Sequence, residues 1–404
     1  MTRRPPLSPC WLLALAILSS PLAGQGSRMP LRRPPLAASA DTNDAAAYLA
    51  LGGRDLEADP KRAMTAYEWA LRLDPASADA LYGRSVALLI DDNALFNIMM
   101  KGPRDEKEAA RLRLADSLRI RAEMLDPFLD PKLDRALDAK ARRSTSGYRE
   151  VDIEASRDYE SGRGQSDYQR GLSEWVLGFH RSALRWFESS LDKTRNKAPI
   201  HALRGRIFQG QGMSDSALAS LRLAVKEYRK ADDSSFVFFY EPKSRYLYQI
   251  GWVLEALGKA IEAKEVYDQA LIEDLSFYPA HQRVALVSLA AGDTATALAE
   301  FDLASQIGGH DAVLRVQYAY ALAGSRRLAE ASDQIQRVIA QKPDDADPHL
   351  MLARLYETTD MGDLAVTNYK AFLDRSPRTD LQRGYADERV RALSNTVAKS
   401  PGTP

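Results

Sequence analysis

The strongest constraint in this 404-residue chain is an internal repeat of small and bulky residues. Six alanines recur at sequence separations of 34, 46, 34, 34 and 34, namely Ala183, Ala217, Ala263, Ala297, Ala331 and Ala365. A glycine or alanine stands twelve residues before each of them, and a bulky apolar residue stands four residues after. A period of this length is typical of helical units that stack into a solenoid.

The spacing within one unit predicts two short antiparallel helices. Helix axes approach closely only where the side chains between them are small, so the small residues mark the crossing. The bulky residue lies one helical turn further along and would fill the groove beside that crossing. In the first four units a glycine marks the turn between the helices, whereas the last two units lack it: the glycines are Gly178, Gly212, Gly258 and Gly292. Because one helix pair cannot bury its own apolar face, the units must stack.

This register resembles that of the tetratricopeptide repeat (TPR) family, including the proline that closes a unit at Pro343 and Pro377. The resemblance covers about residues 164–380 and extends more loosely to an N-terminal unit around Ala63. It implies an all-α fold, a right-handed superhelical solenoid of TPR-like helix-turn-helix repeats. In that family the first helix of each repeat lines a concave groove, which implies a protein or peptide partner of unknown identity.

Several aromatic, arginine and polar residues flank the small positions on the predicted first helices. Aromatic and arginine side chains contribute strongly to binding energy at protein interfaces. The predicted groove residues are Tyr168, Trp175, Arg206, Gln209, Tyr248, Trp252, Glu255, Gln282, Tyr320 and Arg354. The alternative is that Trp175 and Trp252 pack against the neighbouring unit, because apolar residues at helical spacing commonly belong to the core.

Twelve additional residues between Ala217 and Ala263 form an aromatic insertion near residues 230–243. Its candidate residues are Phe236, Phe238, Phe239 and Tyr240. An insertion into a repeat falls in a loop on one face, which is often the binding face. Two interpretations stay open, a packing plug for the neighbouring groove or an aromatic lip that contacts a peptide, a lipid or a glycan.

The N-terminal residues have the order of an export signal, with Arg3 and Arg4 before an apolar run and small residues up to Gly26. The apolar run is too short to span ~30 Å of hydrocarbon comfortably. We therefore predict a signal peptide at residues 1–26 and a periplasmic or secreted protein with no stable membrane insertion after signal removal. A short anchor and a mistaken start codon are the alternatives.

The remaining boundaries follow from composition and from the repeat. Prolines exclude a helix interior just after the signal. The predicted segments are a Pro/Ala-rich linker at 27–43, N-terminal TPR-like helical units at 44–127, a polar connector or degenerate repeat at 128–165, six repeats at 166–379, a capping helix at 380–398 and a disordered tail at 399–404.

Composition disfavours several functional classes. Lysine plus arginine and aspartate plus glutamate both number 55, so no basic field attracts nucleic acid. One cysteine and five histidines exclude a disulfide framework and a multi-cysteine zinc site. His201, His281 and His349 occupy the same place in alternate units, where two packing layers separate them by about 20 Å, too far for shared metal ligation.

The motifs favour a binding protein over an enzyme. The sequence contains no His-Glu-x-x-His motif, and its glycine-rich segments coincide with repeat positions. We predict no catalytic residue, metal ligand or cofactor, and a non-catalytic scaffold of the bacterial-envelope type. The alternatives are a surface adaptor for glycan or lipid and an enzyme whose site lies within residues 91–165.

Overall fold

The computed structural model describes residues 33–90, 105–129, 133, 136, 162–194, 196–229, 242–309 and 311–397. Within these ranges all regular secondary structure is helical, with 17 α-helices and no strand. The predicted signal peptide, the four aromatic residues of the insertion, most of the connector and the tail lie outside the described residues.

Among the described residues, four helices precede six helix pairs, and the first helix of the first pair begins within the segment predicted as a connector. The N-terminal helices are α1 (Ala45–Asp55), α2 (Pro60–Leu73), α3 (Ala78–Ile90) and α4 (Glu106–Leu125). Six helix pairs follow: α5 (Gly162–Val176) and α6 (His180–Leu191), α7 (Ala198–Gly210) and α8 (Ser214–Glu227), α9 (Lys243–Ala256) and α10 (Ala260–Glu273), α11 (Tyr278–Ala290) and α12 (Thr294–Ile307), α13 (Ala312–Gly324) and α14 (Leu328–Gln341), α15 (Asp347–Thr358) and α16 (Gly362–Arg375). The last helix is α17 (Gln382–Val397). The all-α repeat fold is therefore confirmed.

The small and bulky residues of the register meet where the two helices of a pair cross. All six register alanines are fully buried, and so are the bulky residues four positions later. At Gly171 an added Cβ would lie 2.5 Å from the Phe187 ring, and at Gly251 it would overlap the Tyr267 ring. The register therefore reflects direct contact between helix backbone and bulky side chain.

The turn between paired helices keeps one backbone conformation with or without glycine. Gly258 and Gly292 have φ values of +74° and +83°. Arg326 and Asp360, which occupy the equivalent place in the last two pairs, have φ values of +59° and +57°. A left-handed conformation is unfavourable for residues with a Cβ, so the stacking of the helices imposes this turn in the last two pairs.

Helix α17 closes the last helix pair. Ala386 is fully buried against the cluster that contains Tyr369 and Phe372, and Val390 and Leu393 pack on the same cluster. The opposite side of the helix is exposed and charged, with Arg391 and Asp387 paired in the solvent. This arrangement is what a capping helix requires.

The N-terminal part of the chain contacts the turns that follow the second helices of later pairs. The described part of the predicted linker contains no helix, and Asp41 near its end accepts a hydrogen bond from the backbone N–H of Arg378. Asn43 Nδ2 donates to the carbonyl of Asp374 at 3.2 Å, and Arg72 lies 3.6 Å from Asp344. These contacts join parts of the chain that are far apart in the sequence.

We expect Gly251→Ala to destabilise the fold by about 1 to 3 kcal/mol, because the new methyl group would overlap the buried Tyr267 ring. Gly210→Ala is the matched control, since no heavy atom lies within 4 Å of its Cβ position. The control should be neutral or stabilising by up to about 1 kcal/mol through helix propensity. Urea unfolding of both variants measures the difference, and equal effects would contradict the assigned crossing.

Candidate partner-binding face

The predicted groove residues lie at three positions on the first helix of each pair. These positions are three residues before, one residue after and four residues after the small residue of the register. A spacing of i, i+4 and i+7 places side chains on one side of a helix. We call the surface that these three positions form along helices α5, α7, α9, α11, α13 and α15 the first-helix face.

At the α5 end the first-helix face is part of the core. Tyr168 and Trp175 are only 6% and 9% exposed, and both pack in the cluster that contains Ala183 and Phe187. The Tyr168 and Phe187 ring centroids are 6.0 Å apart. Trp175 therefore occupies the place that the packing alternative assigned to it, and neither ring offers much surface to a partner.

In the middle of the face, the predicted residues Trp252 and Glu255 are bound by side chains of the two following helices. Arg283 lies over the Trp252 ring at 4.6 Å from its centroid, and its Nε donates to Glu255 Oε1 at 3.0 Å. The Tyr267 hydroxyl donates to the same carboxylate at 2.5 Å. Burial, the largest cause, and the negative charge of Glu255 raise the pKa of Tyr267, which stays protonated. This group ties α9, α10 and α11 together.

Two further groups of polar contacts also join helices of neighbouring repeats. Gln282 Nε2 on α11 donates to Gln317 Oε1 on α13 at 2.6 Å. At the C-terminal end, Glu357 accepts from the Tyr369 hydroxyl at 2.5 Å and from Arg389 Nε at 2.9 Å, which repeats the arrangement around Glu255. Polar side chains on this face therefore connect neighbouring repeats as well as facing solvent.

A segment from the N-terminal half of the chain already lies against the first-helix face. The Tyr248 hydroxyl donates to the Met124 carbonyl at 3.1 Å, and Arg245 Nη1 donates to Glu123 Oε2 at 3.3 Å. Met124 and Phe128 pack on the apolar cluster that contains Tyr248 and Phe277. We call residues 123–128, the last turn of α4 and the turn after it, the docked segment.

The contact is close, and one carboxylate of the docked segment faces two guanidinium groups. Glu123 lies 3.9 Å from Arg206 and 3.3 Å from Arg245, and the Arg206, Arg245 and Glu123 side chains are 13%, 16% and 17% exposed. The cavity between the docked segment and the face measures about 10 Å³, too small to hold a water molecule comfortably. Arg206 on the first-helix face and the nearby Arg245 therefore pair with the carboxylate of the docked segment, in a contact with room for at most about one water molecule.

Towards α13 and α15 the face is open among the described residues. Tyr320 is 59% exposed, and Arg354 is exposed with its guanidinium 5.0 Å from the Tyr385 ring centroid. Tyr320 and Arg354 occupy, in the last two pairs, the same register position as Trp252. An aromatic ring and a guanidinium therefore occupy equivalent positions on the first helices of two consecutive repeats, and the guanidinium also donates to Gln382 of α17.

Sequence reasoning identified Arg206 and Tyr248 but missed the docked segment and Arg245. Along the chain, Glu123 lies 122 residues from Arg245 and Met124 lies 124 residues from Tyr248, and no local pattern indicates that they meet. Gln209, also predicted for the groove, is partly buried on α7. The four aromatic residues of the insertion lie outside the described residues, so both interpretations of the insertion stay predictions.

The three register histidines serve helix packing. His281 Nδ1 lies 2.6 Å from Glu300 Oε2, and its Nε2 lies 3.1 Å from the Leu275 carbonyl. His349 Nδ1 contacts Asn368. The two residues are 19 positions apart in the sequence, the same separation as between His281 and Glu300. In the described part of the chain no group of three or more His, Cys, Asp or Glu side chains is placed to hold a metal ion.

Two segments of the chain match models of the tetratricopeptide repeat, at residues 244–271 and 288–355. The first corresponds to the α9 and α10 pair, and the second spans α12, α13 and α14 with parts of α11 and α15. The helix pairs therefore define an all-α helical repeat protein, of which these two segments match the tetratricopeptide repeat. No curated protein matches the sequence.

Three solved structures are among those that resemble part of the chain. PilF of Pseudomonas aeruginosa is 17% identical with a TM-score of 0.43, covering 59% of this chain and 99% of PilF. YrrB, described as a TPR protein with an unusual peptide-binding site, is 19% identical with a TM-score of 0.40, covering 50% and 97%. MamA is 16% identical with a TM-score of 0.37, covering 42% and 93%. Likeness at this level carries no functional assignment.

We expect Glu123→Lys to destabilise the protein by more than about 2 kcal/mol, because it places a third positive charge against Arg206 and Arg245 in a poorly hydrated contact. Glu265→Lys, on the exposed side of α10, is the control and should stay within about 0.5 kcal/mol. Denaturant unfolding measures both. A Glu123→Lys protein as stable as the control would show that the docked segment does not bind the face in solution.

We expect His281 and His349 to contribute to the free energy of unfolding with opposite pH dependences. Burial lowers the pKa of His281, but its hydrogen bonds to Glu300 and the Leu275 carbonyl outweigh burial and raise the pKa above its ordinary value. Burial lowers the pKa of His349. The stabilisation from His281 is therefore complete below its unfolded pKa of about 6.5 and is lost as pH rises through the folded pKa. That from His349 is present above about pH 6.5 and is lost as pH falls through the folded pKa.

These directions are tested by comparing His281→Gln and His349→Gln with the parent protein. The free energy of unfolding is measured for each at mildly acidic and at mildly basic pH. The loss caused by His281→Gln should shrink as pH rises, and the loss caused by His349→Gln should grow. Parallel pH profiles for the two variants would contradict the assigned hydrogen bonds.

Proposed function

We propose that this protein is an exported, non-catalytic scaffold that holds a peptide segment or a partner protein on its first-helix face. The observation that carries the proposal is the docked segment, because this face already binds a stretch of polypeptide. It does so through a backbone carbonyl, a paired carboxylate and two apolar side chains. In peptide recognition, main-chain hydrogen bonds commonly supply affinity and side-chain contacts supply specificity.

The partner would bind on the open part of the face, around Tyr320 and Arg354. Both side chains are exposed, and tyrosine and arginine are enriched among residues that dominate binding energy. On the same helix as Arg354, Glu357 is held in place by the Tyr369 hydroxyl and by Arg389, so the face offers a preorganised surface. Preorganisation lowers the entropic cost of binding.

The export part of the proposal rests on the N-terminal sequence, with its arginine pair, short apolar run and small residues. In the described residues no helix is both long enough and apolar enough to cross a bilayer. The proposed site of action is the periplasm or the cell exterior. Fractionation of cells that express the full-length chain, with N-terminal sequencing of the product, tests this part separately.

We expect a photo-crosslinking residue at position 320 to yield a discrete protein adduct in envelope extract. The same residue at position 261 should not, because Ile261 is 79% exposed but lies on the second helix α10, outside the face. The double variant Tyr320→Ala, Arg354→Ala should bind the identified partner at least about 30-fold more weakly, the loss of a typical hot spot of ~2 kcal/mol. Its melting temperature should fall only slightly, because Arg354→Ala also removes exposed contacts with Gln382 and Tyr385 of α17. Equal adducts at both positions would contradict the proposal.

A further inference from the structure

A second cavity lies where the N-terminal helices meet the turn between α14 and α15. It measures about 280 Å³, near the lower end of small-ligand sites. Its walls come from α2, α3, α4 and residues 341–344, and we call it the junction cavity. The first-helix face does not contribute to it, so this cavity is separate from the proposed partner site.

Four cationic side chains line the junction cavity: Arg72, Arg84, Arg121 and Lys342. Two acidic side chains, Glu68 and Asp344, also line it. The lining therefore carries an excess of two positive charges. The whole chain is balanced, with 55 basic and 55 acidic residues, so this excess is a local feature.

The three arginines are only loosely paired. The Arg84 to Glu68, Arg72 to Asp344 and Arg121 to Asp311 distances are 3.5, 3.6 and 3.9 Å. Charge-assisted hydrogen bonds are shorter, about 2.7 to 2.9 Å. Within the described part of the chain, Arg84 Nε and Arg121 Nε are buried without a hydrogen-bond partner. Guanidinium donors that are buried and unused are costly unless a ligand accepts from them.

Lys342 experiences the same excess of positive charge. Burial, the largest cause, and the charges of Arg121 and Arg84 lower its pKa. The nearby Asp345 does not compensate fully, because burial and the negative charge of Asp347 raise its pKa to about 7. The protein therefore carries repulsion here that an anion would relieve.

We propose that the junction cavity binds a phosphate group, as inorganic phosphate or as the head of a small phosphomonoester. The four cationic side chains outnumber the two lining carboxylates, Asp311 and Asp345 offset part of this charge, and a phosphate group would neutralise the remainder. Its oxygens can accept from several guanidinium groups at once, which is the geometry that arginine favours. Because the cavity walls come from the N-terminal helices and from the α14 to α15 turn, a bound phosphate would also strengthen the contact between these parts of the chain.

Isothermal titration of the full-length protein with inorganic phosphate, at constant ionic strength, tests the proposal, and glycerol 3-phosphate serves as the second probe. We expect saturable one-to-one binding of at least one of them. Lys342→Met keeps the length of the side chain and leaves the ion pairs of the three arginines in place. It should weaken binding at least about tenfold. Tighter binding of the second probe identifies a phosphomonoester as the preferred ligand, and the reverse identifies free phosphate.

The same variant separates a ligand site from a structural role. In chloride buffer without phosphate, Lys342→Met should raise the melting temperature, because it removes a repelled charge, whereas a purely structural lysine would lower it. Arg72→Gln is the second variant, and Lys259→Met, at an exposed site outside the cavity, is the control with unchanged binding. The proposal is overturned if neither probe binds the parent protein saturably. It is also overturned if Lys342→Met and Arg72→Gln bind the probes as tightly as the parent protein does.

Discussion

Close contact between a small residue and a bulky side chain at each helix crossing is the constraint on which the rest of the structure depends. Gly251 against Tyr267 and Gly171 against Phe187 leave no space for a further methyl group. This contact sets the distance between the paired helices and the rotation of each helix about its axis. The positions of the side chains on the first-helix face follow from that rotation.

The rotation of each first helix about its axis leaves one side of that helix uncovered by its partner helix. The protein uses this uncovered side in three ways. At α5 it is buried in the core through Trp175, at α9 it binds the docked segment through Tyr248, and at α13 it is exposed through Tyr320. One repeated surface therefore supplies packing, an intramolecular contact and an open site.

The charges of the protein divide into tightly and loosely paired groups. Glu255 and Glu357 each accept from a tyrosine and an arginine at 2.5 to 3.0 Å, and these groups connect neighbouring repeats. The arginines of the junction cavity lie 3.5 Å or more from their nearest carboxylates. Short arginine–carboxylate hydrogen bonds stabilise contacts between helices. Longer arginine–carboxylate distances leave guanidinium N–H groups available to a ligand.

The sequence by itself determined the helix pairs, their approximate boundaries and the residues at each crossing, because these depend on contacts within one unit that recur in every unit. It also placed Arg206, Tyr248 and Tyr320 on one face. Only the tertiary structure decided which of them are covered, since Glu123 and Met124 reach that face from the N-terminal half of the chain. It also decided that Arg326 and Asp360 take the left-handed turn without glycine, because helix packing outweighs the local backbone preference.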